Sequence, residues 1–158
     1  CACLVGSEMC IRDRSMTEQL QVTLSQLQCE LVAERNLVNP DGISWLQYDI
    51  LSLLKSEAKL PKNLSQHLGV TKTKLSKNLT KLHELNYITQ KPSQFDRREM
   101  VTDLTVKGRQ FLYQTDNQHQ ELSNDAQVSF THDEQEQFIK LSQKLIMTLQ
   151  ESRLSNEQ

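Results

Sequence analysis

Leu64-Ser65-Gln66-His67-Leu68-Gly69-Val70-Thr71-Lys72-Thr73-Lys74-Leu75-Ser76-Lys77-Asn78-Leu79-Thr80-Lys81-Leu82-His83-Glu84-Leu85 is the stretch that decides the fold of this chain. Its first part completes a short helix that begins at Pro61, whose fixed φ suits a first helical turn. Leu64 and Leu68 lie one turn apart and face inward, and Gly69 ends the helix. A second helix follows from Thr71, with Leu75, Leu79, Leu82 and Leu85 on one apolar stripe. Asn86 is expected as its left-handed C-cap.

Downstream, the period changes from helical to alternating. Tyr87-Ile88-Thr89-Gln90-Lys91 is β-prone and is expected to break at Pro92. Met100, Thr102 and Leu104 alternate as a half-buried strand should, and Ser93-Gln94-Phe95-Asp96-Arg97-Arg98 forms a polar tip between the two runs. Thr105 caps a further helix carrying Phe111 and Leu112. Thr131 and Glu134 make a capping box that opens a last helix. There Phe138, Leu141, Leu145 and Leu149 approach a heptad seam suited to helix association.

Upstream, Leu20, Leu24, Leu27 and Leu31 recur at helical spacing until Asn39-Pro40-Asp41-Gly42 stops the helix. Ser44 with Gln47 caps the next one, whose apolar residues are Leu46, Ile50, Leu53 and Leu54. Only 4 glycines and 3 prolines in 158 residues agree with a helical chain. The expected fold is mainly α with a small β-hairpin wing.

The net charge of −2 conceals a strong asymmetry. Residues 59–109 hold eleven lysines and arginines against four acids, a net of +7, while the rest of the chain nets −9. A basic middle between acidic flanks implies a polyanion partner for the middle and another task for the ends. From Thr71 to Leu82 there are four lysines and no acid. A major groove admits one α-helix, which must present side chains from its N-terminal turns to base edges. Short helix, turn, basic helix and basic-tipped hairpin together read as a winged helix-turn-helix. A lysine-rich face on an isolated helix is usually only solvated; the preceding helix and turn and the following basic tip favour the DNA reading here.

The same residues carry a resemblance. Leu64 to Val70, Thr71 to Lys77 and Leu82-His83-Glu84-Leu85 are followed by Asp96-Arg97-Arg98 and then by Leu104-Thr105-Val106-Lys107-Gly108-Arg109. In spacing and order, the Asp-x-Arg wing followed by Leu-Thr-x-x-Gly resembles the MarR family of winged helix-turn-helix regulators. That resemblance implies a recognition helix with Thr73, Lys74, Ser76 and Lys77 at the major groove of double-stranded DNA, and Thr71, Lys72 and Lys81 on the same polar, basic helix are expected to contact DNA with them. It implies a wing whose Arg98 enters the minor groove, with Arg97 reaching a phosphate and Asp96 orienting the tip. Lys77 stands where an arginine is commoner, and Asn86-Tyr87 replaces a glycine and an aliphatic residue.

It implies one domain over 16–158, with a DNA-binding lobe at 43–109 and dimerisation helices at 17–38 and 110–152. Leu20, Leu24 and Leu27, with Phe138, Leu141, Leu145 and Leu149, would then meet at the two-fold interface of a homodimer. Such a dimer, expected to be a repressor, fits a near-palindromic operator with half-sites spaced by roughly 10 base pairs. The resemblance also implies release by a small aromatic or anionic effector. Trp45 and Tyr48 read first as core aromatics and second as a ligand wall, in which Arg35 or Tyr113 would hold the anion.

Residues 1–15 contain three of the four cysteines without periodicity, and Met9-Cys10-Ile11-Arg12-Asp13-Arg14 reads as a translated adapter. This stretch is expected to be a non-native or disordered leader, with the natural start at Met16; it lacks the long apolar core of a signal peptide. Cys29 is then the one remaining cysteine, which fits a reducing cytoplasm. It is expected to be buried and inert, with a peroxide sensor of the OhrR branch as the alternative.

His67, His83, His119 and His132 lack the spacing of metal ligands, so neither metal nor cofactor is expected. No glycine-rich phosphate loop, nucleophile elbow or paired His/carboxylate motif points to an enzyme. No run of about 18 or more apolar residues points to a membrane span. A winged-helix module that binds only protein is the remaining alternative; it would be expected to lose the basic tip that Arg97 and Arg98 supply here.

Overall fold

A computed structural model describes residues 15–37, 42–94, 96–116 and 120–155. The leader up to Arg14, the Asn39-Pro40-Asp41 stop, Phe95 and His119 lie outside the described residues. The elements are α1 (Met16–Leu37), α2 (Trp45–Leu53), α3 (Pro61–Leu68) and α4 (Lys72–Glu84), then β1 (Ile88–Pro92) and β2 (Met100–Leu104). Three more helices follow: α5 (Val106–Asp116), α6 (Gln120–Ser129) and α7 (His132–Ser155). Helices with one small antiparallel hairpin are the expected architecture. None of them is long and apolar enough to cross a membrane among the described residues.

The chain divides into two units, residues 1–39 and residues 40–158. In the first, α1 opens on a capping box whose Ser15 was expected to belong to the leader. The Ser15 N–H donates to Glu18 Oε2 at 3.0 Å, and the Glu18 N–H donates to Ser15 Oγ at 3.3 Å. No residue of α1 is buried, so the Leu20, Leu24, Leu27 and Leu31 row lies open. Cys29 is exposed and not buried as expected, because the helix that carries it has no buried face.

The second unit is built on one apolar core of Ile43, Ile50, Leu51, Leu54, Leu64, Leu75, Leu79, Leu82, Ile88, Leu104 and Leu112. Local chemistry sets the helix ends around it. Ser44 and Gln47 form the full capping box at α2. Pro61 opens α3, and Gly69 closes it at φ 61°. Thr71 Oγ1 accepts the Lys74 N–H at 3.2 Å to cap α4. Asn86 has φ 59°, the left-handed conformation expected of it.

In the wing, β1 and β2 pair antiparallel from Ile88 with Leu104 to Pro92 with Met100. The strand thus runs through Pro92 instead of breaking before it; the last residue of a strand in a two-stranded sheet tolerates a missing N–H. Lys59, just before α3, adds a bridge to β2: its N–H donates to Thr102 O at 3.0 Å, and the Thr102 N–H donates back at 2.8 Å. That bridge ties the wing stem to the helix-turn-helix. Ser93, read as part of the polar tip, is buried, and its N–H donates to Glu99 O at 2.7 Å.

Thr105 Oγ1 accepts the Gly108 N–H at 3.1 Å, capping α5 as expected. The Thr131–Glu134 box opens α7, with Thr131 N–H and Oγ1 donating to Glu134 Oε2 at 2.8 and 2.9 Å. These hydrogen bonds hold the Glu134 carboxyl below its usual pKa. The polar α6 segment has no apolar stripe and so gives no helical signal in the sequence. Like α1, α7 has no buried residue, and Phe138, Leu141, Leu145 and Leu149 are exposed along it.

Candidate nucleic-acid interface

The leucine stripe of α4 fixes what its other faces present. With Leu75, Leu79 and Leu82 buried, Thr73, Lys74, Lys77 and Lys81 are left on the opposite side, all exposed. Thr71 and Lys72 stand exposed at the start of the helix, and Ser76 on its flank. None of Lys72, Lys74, Lys77 and Lys81 forms an ion pair with another described residue. Among the described residues no acid pairs with them, which suits a phosphate-facing surface.

Two neighbours are committed internally. Asn78 Nδ2 donates to Lys74 O at 2.7 Å, and Thr80 Oγ1 donates to Ser76 O at 3.1 Å. Glu84 is the one acid on the helix, in its last turn.

The wing tip is a turn organised by Asp96. Its Oδ1 accepts the Arg98 N–H at 2.9 Å, and its backbone carbonyl accepts the Glu99 N–H at 3.0 Å. Arg97 and Arg98 project exposed from that turn, with no ion pair to another described residue. A guanidinium on a fixed turn can enter a narrow minor groove, where the negative potential is enhanced.

Three of the basic residues counted in the central stretch hold the fold instead. Lys59 pairs with Glu57, and Arg109 Nη2 lies 3.3 Å from Asp103 Oδ1. Lys107 Nζ donates to Leu85 O at 2.8 Å. Conversely, Lys62 of α3 is exposed, yet absent from the residues expected at DNA. It lines an open cleft of about 440 Å³ with Lys72, Ser76, Thr80, His83 and Gln90, and no acid lines that cleft. The signal for it was a lysine directly after the helix-opening Pro61.

None of the four residues expected at a ligand pocket lines this cleft. Trp45 and Tyr48 are half-buried and pack edge to face, with ring centroids 5.5 Å apart. Tyr113 is 74% exposed, and Arg35 is exposed on α1. Among the described residues no group of His, Cys, Asp and Glu could hold a metal ion.

Comparison with known proteins bears on the fold. Residues 41–99 match the model of the MarR family. No curated protein matches the chain. Among solved structures, the transcriptional regulator SlyA superposes with a TM-score of 0.72 at 14% identity, covering 85% of this chain and 99% of that one. The transcriptional regulator BldR from Sulfolobus solfataricus gives 0.66 at 21% identity, covering 84% and 97%. FabT from Streptococcus pneumoniae, solved in complex with DNA, gives 0.64 at 22%, covering 85% and 98%.

Proposed function

We propose, because residues 41–99 match the model of the MarR family, that this chain is a transcriptional regulator, not an enzyme, that binds double-stranded DNA. In this reading α4 enters the major groove, with Thr73, Ser76 and Lys77 at base edges and Lys72, Lys74 and Lys81 at phosphates. Thr71 holds the start of that helix, Asp96 sets the wing turn, Arg98 reaches the minor groove and Arg97 a phosphate. The observation that carries the reading is the exposed row of lysines on α4, without an ion pair among the described residues, followed by the arginine-tipped wing. The FabT complex, with the same fold on DNA, supports it.

The chain acts as a homodimeric repressor on a near-palindromic operator. Support for the dimer comes from α1 and α7, each a long helix with an apolar row and no buried residue. Rows of this size on a lone chain mark an interface. Release by a small aromatic or anionic effector completes the reading. The acid-free cleft beside α4, lined by Lys62 and Lys72, would suit an anion at that step.

The test is the Lys77→Ala, Arg98→Ala double variant against an operator selected from random duplexes. Loss of a base contact and a groove contact should weaken binding by about 30-fold or more. Unchanged affinity would favour a winged-helix module that binds protein instead.

A further inference from the structure

The charge pattern alone assigns Lys107 to the basic, DNA-directed surface. The structure directs it elsewhere. Its Nζ donates to the carbonyl of Leu85, the C-cap of α4, at 2.8 Å, and lies 4.8 Å from the centroid of the Tyr87 ring. A cation at a helix C-terminus meets the negative end of the helix dipole and an orphan carbonyl.

The contact is one of several joining the same two elements. Thr105 Oγ1 donates to Asn86 O at 2.6 Å, and the Thr105 N–H donates to Tyr87 O at 3.0 Å. Tyr87 and Phe111 stack with centroids 4.9 Å apart. The start of α5 therefore grips the three residues, Leu85 to Tyr87, through which the recognition helix turns into the wing.

We propose that Lys107 is a positioning residue, which fixes the angle of α4 and the wing against α5 without touching DNA. The proposal rests on the DNA-binding reading above and adds a role for a lysine that reading leaves out. A residue that only positions base-reading side chains affects specific binding. A phosphate ligand affects every duplex, and each lost phosphate contact lowers the log–log salt slope by about 0.9.

The experiment compares wild type, Lys107→Met and Lys107→Arg on a selected operator and on random duplex DNA across a salt series. Lys107→Met should weaken operator binding by about three- to tenfold, with random-duplex affinity and salt slope unchanged. Lys107→Arg, which keeps a cationic donor, should restore operator binding. Three results overturn the proposal: a slope lowered by about 0.9 in Lys107→Met, which makes Lys107 a phosphate ligand; operator affinity equal to wild type; or no rescue by arginine. Wild type that binds no DNA at any salt overturns the functional reading, and this inference with it.

Discussion

The Cβ that Gly108 lacks would stand 2.2 Å from the carbonyl oxygen of Tyr87. That oxygen already accepts the Thr105 N–H, so the turn into β1 and the first turn of α5 touch backbone to backbone. Real Cβ contacts do not come this close, and the obstacle is main chain, which cannot rotate away. The glycine in the Leu-Thr-x-x-Gly signature is thus a packing requirement at the junction that orients the wing.

Gly108→Ala should therefore destabilise the fold by about 2 kcal/mol or more, as overpacking does where nothing can yield. Urea unfolding monitored by circular dichroism measures it. A midpoint within error of wild type would mean that α5 and Tyr87 separate at little cost.

The apolar row on α7 should behave as an interface. Leu141 is 65% exposed and Leu145 41% in the lone chain, so lysines there should leave the fold intact. Mass from size exclusion with light scattering should fall from dimer to monomer in the Leu141→Lys, Leu145→Lys variant. A wild-type chain that is already monomeric would refute the assignment of α7 to a two-fold contact.

Acid should loosen the start of α7. The Thr131 N–H first, and then its hydroxyl, hold the Glu134 carboxyl below its ordinary pKa of 4.5. A lowered folded-state value contributes stability that is fully present above about pH 4.5 and is lost as the pH falls through the lowered value. Glu134→Gln should thus reduce the acid-dependent drop in thermal midpoint between about pH 5 and pH 2. An identical pH profile in the two proteins would show that the box does not titrate with folding.

Cys29 is exposed, which makes the hydroperoxide-sensing alternative directly testable. On the ligand-released reading, Cys29→Ser should bind operator like wild type, and organic hydroperoxide should affect neither protein. Release of wild type but not of Cys29→Ser by the oxidant would transfer the chain to the redox branch.

Much of this architecture was legible because it is written in local chemistry. The Ser44–Gln47 and Thr131–Glu134 boxes, the left-handed Gly69 and Asn86, and the leucine stripe of α4 each depend on residues a few positions apart. What escaped depends on distant partners or weak periodicity. Nothing in a charge count distinguishes Lys77, free on α4, from Lys107, bound to a carbonyl 22 residues away. The α6 segment Gln120–Ser129 has too few apolar residues to show a stripe. The cleft between Lys62 and Lys72 exists only once α3 and α4 pack. Cys29 was assigned to a core that α1 does not have within one chain.

The most direct test of the central claim is duplex binding by wild type across a salt series from about 50 to 200 mM. Affinity should fall steeply, with a log–log slope of about −0.9 for each phosphate contact, and one palindromic sequence should be preferred over random duplex. A folded protein whose duplex binding is absent, or indifferent to salt and sequence, would contradict it and leave the lysines of α4 as a solvated face.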